Sequence, residues 1–529
     1  MAIVTAGKGL VLGWVDRHAA QLSAWHQVIW HYAEPALREY KSAAWYVRTL
    51  QDAGFDVEVG SGGMPTAFVA TFRHGDGPTI ATYAEYDAVP GQCQAATPHA
   101  GPRAGLSRHA AGHTDPHSAL GISALAGALA TKAAMQELGI RGTLKIFGEP
   151  AEKLRVSKPV HAAKGYYDDL DAAVSFHPHW SLPMCNTAVW DTHCGFGYNY
   201  VYTFSCAAPE KWLTLDRSGK TRRNVHYAAR APGATDALMF FHHLNESSRR
   251  SMLPATGLWS FNEAILTAGQ ATADNLVSQL AEIDYMVRAN SQGEADAISA
   301  VMDINAAAAA KAGFCEWKKT WVSKSRAGLA NHTLARAGYR NLELVGPPSW
   351  GPEAIQVAHA IQRELGLAPL ERPFLAATET LIDPQAAEAA VRRFLPVTQN
   401  HLGSDDYTEY TWHCPTLRLL VARPELAASP DYDYPGWVPN ALGGIPATID
   451  PTILIAAKTI GATLIDLLTD AALLEEAGAE FVERSGIGSE RWQAPLLPSD
   501  FQVPHRLRWP EYVTTARGEE WCIPWREDE

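Results

Sequence analysis

Between residues 65 and 180 short strand-like runs alternate with helix-like ones, and this alternation restricts the fold more than any other feature of the chain. TAFVATF and PTIATYAEYD read as strands, the second running from Thr79 to near Asp87. SALGISALAGALATKAAMQELG, starting at Ser118, reads as a long helix with a serine at its N-cap. It is apolar nearly all round, so it belongs in the interior. TLKIFGEP is the next strand, and DAAVSFHPHW the one after, ending near His177. Strands separated by helices imply an α/β layer around a largely parallel sheet.

Upstream, residues 9–54 carry helical spacing, with Gly54 as a C-terminal stop. From Gly195 the texture changes. YNYVYTFSC (strand), PGATDALMFFHHLNESSRR (helix), LVSQLAEIDYMVRA (strand) and EADAISAVMDINAAAAAKAGF (helix) suggest a small α+β insert. The alanine run in the last of these favours helix over linker. The α/β texture resumes near Asn341 and ends in ILIAAKTIGATLIDLLTD. The chain's 529 residues exceed what one core usually organises. The expected division is therefore 1–194 and 326–480 as two parts of one domain, 195–325 as the insert, and 481–529 as an extension. Trp492, Trp509, Trp521 and Trp525 in that extension would not be left in water.

Lys plus Arg (44) against Asp plus Glu (57) gives a net charge of −13, and without a basic run this argues against nucleic acid. No stretch approaches the roughly 18 apolar residues of a membrane span, and the first residues do not resemble a signal peptide. Seven scattered cysteines without a CxxC pair fit reduced thiols in the cytoplasm.

Glu85 and Asp87, Glu149 and Glu152, and His177 and His179 each follow a strand end, the edge where ligands gather in open α/β sheets. A fourth cluster, His113, Asp115 and His117 in GHTDPHSALG, leads into the long helix. A carboxylate flanked by imidazoles can bridge divalent ions, and zinc, manganese and cobalt accept such mixed ligands. Each piece also has a plainer reading. The histidines are ordinary loop residues, Glu85 caps a turn, and Glu149 and Glu152 form salt bridges with Lys153 and Arg155. No GxSxG elbow or phosphate-binding glycine loop occurs in a suitable context.

Several stretches, in order, resemble metallopeptidase family M-twenty (clan MH), and within it the aminobenzoyl-glutamate hydrolase branch. They are the segment IWHYAEPALREYKSAAWYVRTLQDAGFDVEVGSGGMPTAFVATF, then EYDAVPG, GHTDPHSALG, FGEPAEK, YYDDLDAAVSFHP, HYAARAPGATDAL, DNLVSQLAEIDYMVRA and GSDDYTEYTWHCPT. The likeness covers about residues 20–470. It implies a zinc-peptidase-like catalytic domain with an inserted lid domain that mediates homodimerisation. It also implies a divalent metal cofactor, zinc or manganese, as one or two ions. By the resemblance Asp115, His117 and His177 are metal ligands and Glu152 is the general base. His226 is a lid residue that stabilises the oxyanion, and Asn275 and Arg288 approach the substrate's carboxylate end.

Two positions depart from that pattern. Lys153 stands where the family has a glutamate ligand, and YPGWVPN, with Trp437, lacks the late ligand histidine. Glu149, His113, His179 or His413 are the candidate replacements; alternatively one ion is retained, or none. The expected activity is hydrolysis of an amide-type C–N bond in a small N-acyl amino acid or related substrate, aromatic ones included. The alternatives are hydrolytic deamination of an activated aromatic or amidine carbon, and a catalytically silent binding subunit.

Overall fold

The computed structural model describes residues 2–179, 183–206, 232–252, 260–269, 277–429, 431–515 and 518–522. Its strands are β1 (Asp56–Val59), β2 (Phe68–His74), β3 (Thr79–Ala84), β4 (Gly142–Gly148), β5 (Ala172–His179), β6 (Thr187–Ala188) and β7 (Phe196–Ser205). There follow β8 (Ser260–Thr267), β9 (Leu280–Ala289), β10 (Glu316–Ser325), β11 (Thr416–Ala422), β12 (Glu511–Thr515) and β13 (Gly518–Cys522).

The larger sheet has the order β1-β2-β4-β3-β5-β11-β6. β3 pairs in parallel with both β4 and β5, and β5 pairs in parallel with β11. The pairs β1–β2, β2–β4 and β6–β11 are antiparallel. The sheet is thus parallel at its centre and antiparallel at its edges, less uniform than the alternation of elements implied. From β3 the chain adds β4 on one side and β5 on the other, so the strand order reverses there.

Helix His117–Leu138 crosses this sheet together with Ala2–Tyr32 and Pro446–Thr469. The first and last of these are long and apolar enough to cross a membrane by length and composition, contrary to the sequence expectation. Their apolar windows are 89% and 72% buried inside the protein, which makes them core helices. Gly121 explains how closely helix His117–Leu138 approaches β3. A Cβ there would lie 2.3 Å from Tyr46 Oη and 2.7 Å from the Glu85 carbonyl. The expected serine N-cap is not formed: Pro116 precedes the helix without a side-chain cap. Ser118 Oγ instead lies 3.1 Å from His26 Nε2, inside the core.

The second sheet is antiparallel, in the order β10-β7-β9-β8. Helices Ala234–Met252 and Gln292–Ala312 cover one of its faces, packing on Tyr198, Tyr200, Tyr202 and Phe204. The alanine run is helical, as expected. A capping box between Ser291 and Glu294 starts its helix. Strands β8 and β10 escaped the sequence reading because both are partly exposed and lack regular apolar alternation. The six cysteines whose side chains are described are free thiols.

The extension after helix Ala471–Ser485 packs on the body through Trp492 and Trp509, while Trp525 lies outside the described residues. Trp509, Leu497 and Val503 join one apolar cluster with Val201 and Val322 of the smaller sheet and Met64, Ala151 and Val156 of the larger layer. Arg508 pairs with Glu282 on β9 at 2.9 Å, and Arg38 pairs with Glu511 at 2.6 Å.

Asp284 on β9 is buried, and no described residue bonds its Oδ1. Burial raises its pKa to about 8. The unfolded chain loses this proton near the ordinary aspartate value, while the folded chain holds it until about pH 8. This group therefore makes stability fall as pH rises through that window. Asp284→Asn is expected to raise the thermal unfolding midpoint more at pH 8 than at pH 5; equal shifts at both would contradict this origin.

Candidate active site

The sheet topology gathers four segments at the C-terminal end of β3. Glu85 and Asp87 lie just past that strand, which stops at Ala84. His117 opens the helix brought close by Gly121, with Asp115 two residues before it. Glu152 and Lys153 form a single 3-10 turn, Glu152–Leu154, after β4. His177 and His179 sit two apart on β5, so they face the same way.

The turn carrying Glu152 is held in an unusual shape. Ala151 and Arg155, on either side of it, have φ of 56° and 59°, left-handed values that cost a non-glycine residue energy. Side chains hold the turn: Ala151 N–H donates to Glu39 Oε1 at 2.7 Å, and Lys153 N–H donates to Asp87 Oδ2 at 2.9 Å.

Asp87 also accepts from His117 Nδ1 at 2.6 Å, which leaves His117 Nε2 facing the cluster. His177 Nδ1 donates to the Pro178 carbonyl at 2.7 Å, so its Nε2 carries the lone pair and lies 3.4 Å from Asp115 Oδ1. Asp115 Oδ2 is 3.6 Å from His117 Nε2. Imidazoles whose far nitrogen is bonded outward in this way are the usual form of metal-ligating histidines. Asp115 Oδ1 has no hydrogen-bond partner among the described residues. Asp115, His117 and His177 thus present neighbouring donor atoms, and the ligand atoms of Glu85, His117 and His177 lie within 4.8 Å of one another, a spacing that could hold an ion.

The neighbouring position differs. Lys153 Nζ lies 2.6 Å from Asp115 Oδ2, 2.6 Å from Glu152 Oε2 and 3.2 Å from His117 Nε2. Arg155 takes the other oxygen of Glu152 and donates to the Ser404 carbonyl at 2.6 Å. Burial opposes charge on Lys153, but Asp115 and Glu152 outweigh it and hold its pKa above the ordinary lysine value. Burial likewise disfavours charge on Glu152, but Arg155 and Lys153 keep its pKa well below the carboxylate range. Burial and Lys153 pull His117 down, yet Asp115, Asp87 and Glu85 raise it to about 9. His177, dominated by burial, falls to about 4.

Beneath this layer Lys158 is completely buried, 2.7 Å from both Glu85 Oε1 and Asp406 Oδ1. The sequence reading did not single out Lys158, Asp406 or Arg418, and it named Arg155 only as a salt-bridge partner. Lys158 and Arg155 lie on the turn and helix after FGEPAEK, Asp405 and Asp406 in GSDDYTEY, and Arg418 on β11, opposite Ser175. Only tertiary contact marks them.

Of the suggested replacement ligands, His179 alone reaches the cavity. Glu149 is held by His161, Tyr167 and Tyr410. His113 bonds the Ile29 carbonyl, and His413 pairs with Asp168. Trp437 begins the helix Trp437–Gly444 and packs in a separate apolar cluster. Glu85 is no turn cap but a buried ion-pair partner, whereas Glu152 does form the ion pairs that the plainer reading described. His226 and Asn275 lie outside the described residues. Arg288, on β9, donates to Asn262 Oδ1 at 3.1 Å, and burial, then nearby Arg155, lowers its pKa to about 10.

A cavity of ≈ 350 Å³ opens onto Asp115, Glu152, Lys153 and His177, with Met184, Val189, Leu402 and Leu420 as an apolar wall. Charged groups at one end and apolar ones along the side suit a small, partly apolar ligand.

No family model matches the chain. It is 27% identical over 488 residues to one of the subunits of p-aminobenzoyl-glutamate hydrolase from Escherichia coli, covering 85% of this chain and 90% of that protein. The chain is similar to this hydrolase subunit over nearly the whole of both proteins. The likeness expected from the motifs thus extends along most of the chain. In fold, the crystal structure of the aminobenzoyl-glutamate utilization protein from Klebsiella pneumoniae matches with a TM-score of 0.53. It does so at 14% identity, covering 86% of this chain and 98% of that one. The two proteins accordingly share their overall fold.

Removing Lys158 would leave Glu85 and Asp406 buried without their cation. Lys158→Met should cost about 3–5 kcal/mol of stability, the usual penalty for breaking a buried ion pair from one side, read by denaturant unfolding. A loss below about 1 kcal/mol would show that the pair is not carried as charges.

Proposed function

We propose that this protein hydrolyses an amide-type C–N bond of a small N-acyl amino acid or related substrate. Asp115, His117 and His177 hold a divalent ion, zinc or manganese, and Glu152 accepts the proton. That the chain is an enzyme of the amidohydrolase kind follows from its likeness to a hydrolase over nearly the whole of both proteins. The observation that carries the site reading is the pair of imidazoles, His117 and His177, whose Nδ1 atoms are bonded away and whose Nε2 atoms face Asp115.

A bound divalent ion would acidify water and polarise the scissile carbonyl. The chain's own residues do the rest. Asp87 and the Pro178 carbonyl keep both imidazoles in the ligating tautomer. Glu152 Oε2 lies 3.6 Å from His117 Nε2, beside the proposed ion position, where a general base would take a proton from water and return it to the leaving nitrogen. Its two oxygens accept from Lys153 and Arg155, and these cations hold it ionised, which weakens it as a base. The wall of Met184, Val189, Leu402 and Leu420 would take an apolar or aromatic acyl group, and Arg288 would meet the carboxylate end. His226 and Asn275 keep the roles implied by the resemblance, and the smaller layer would mediate a homodimer. Free thiols and buried apolar helices support a cytoplasmic location.

The same engagement of Glu152 favours a second reading, a catalytically silent binding subunit. Turnover separates the two. After loading with zinc or manganese, the protein should hydrolyse N-acyl amino acids with aromatic acyl groups. Glu152→Gln should lower kcat roughly a hundredfold or more with the circular dichroism spectrum unchanged. Binding without turnover at any metal loading would establish the silent reading instead.

A further inference from the structure

We infer that the Lys153 ammonium permanently fills the place of a second cation, so that the site accepts one divalent ion and the chain itself excludes another. This rests on the reading above in taking Asp115, His117 and His177 as the holders of that one ion.

Asp115, His117 and Glu152 offer three atoms all within 4.8 Å of one another, a spacing that suits an ion. These are the same three residues that Lys153 Nζ touches, at 2.6, 3.2 and 2.6 Å. An ammonium has three donors and no acceptor. Two donors go to Asp115 Oδ2 and Glu152 Oε2, and the nitrogen stands 3.2 Å from His117 Nε2, so the ammonium occupies the point where these three atoms converge. The ammonium is also anchored at its root: the Lys153 backbone is tied to Asp87, and the turn is flanked by the two left-handed residues. Arg155 closes the other oxygen of Glu152.

The two oxygens of Asp115 divide the site. Oδ2 faces the ammonium, while Oδ1 faces His177 Nε2 at 3.4 Å and accepts no hydrogen bond from a described residue. A carboxylate that could bridge two ions here spans an ammonium and one ion position. The ion position keeps Asp115 Oδ1 and His177 Nε2; the single lone pair of His117 Nε2 goes to the ion when one is bound, and the ammonium then keeps Asp115 Oδ2 and Glu152 Oε2. A second dication would have to expel a cation tethered to the chain and then stand beside Arg155. At contact distances in a partly buried site, like charges repel far more strongly than they do in water. Lys153 is therefore a positioning residue: it fixes Asp115 and Glu152 and supplies one unit of charge that no chelator removes.

The test is metal stoichiometry. Full-length protein is saturated separately with Zn²⁺ and Mn²⁺, desalted, and analysed by inductively coupled plasma mass spectrometry alongside its melting temperature. Wild type should carry one ion per chain, and Lys153→Glu two, with a larger metal-induced rise in melting temperature. Lys153→Met, which opens the position without adding a ligand, should bind the ion at least tenfold more tightly by calorimetry. Two ions on wild type, or variants that bind neither more nor tighter, would overturn the inference while leaving the hydrolase reading intact. A wild type that holds no ion at any loading would instead sink the metal-dependent reading itself.

Discussion

Carboxylates can be buried at the end of a sheet only if cations are buried with them, and this pairing governs the whole candidate site. Glu85, Asp115, Glu152 and Asp406 converge where β3 separates β4 from β5. Taking that much charge out of water costs several kcal/mol per group unless each finds a partner. Lys158 supplies the lower layer with its cation and Lys153 the upper one. The upper layer borders the cavity, so the same balance decides how many metal ions the site can take.

Positioning comes from elements far from the chemistry. Gly121 lets the long helix press against the end of β3, which carries His117 toward Glu85. Asp87, between them, orients both His117 and the Lys153 backbone. The C-terminal extension contributes as well. Trp509, Leu497 and Val503 pack on Ala151 and Val156, which flank the Glu152 turn, and on strands of the smaller sheet. One segment thus links the two layers and supports the turn that carries the proposed base.

Much of the fold was legible from residue patterns. The strands TAFVATF and TLKIFGEP, the buried helix after GHTDPHSALG and the helical alanine run all form, because period, propensity and burial agree there. The failures share a cause. The Ser118 cap was assigned from local preference, yet the serine is spent on a core contact with His26. Strands β8 and β10 are partly exposed, and their pairing depends on neighbours distant in sequence. The two core helices have the composition of membrane spans, and only their enclosure tells them apart.

The sequence alone settled which residue types arrive at the sheet edge, since a strand's end and a helix's start are local matters. It also exposed the lysine after Glu152 as out of place beside two candidate ion positions. What that lysine does was a tertiary decision. Asp115, His117 and Glu152 are separated by up to 37 positions in the chain, and only folding sets their oxygens and nitrogen at distances that three ammonium hydrogens can span. Lys158 and Asp406 became visible for the same reason: their ion pair spans 248 positions, and a linear chain does not record it.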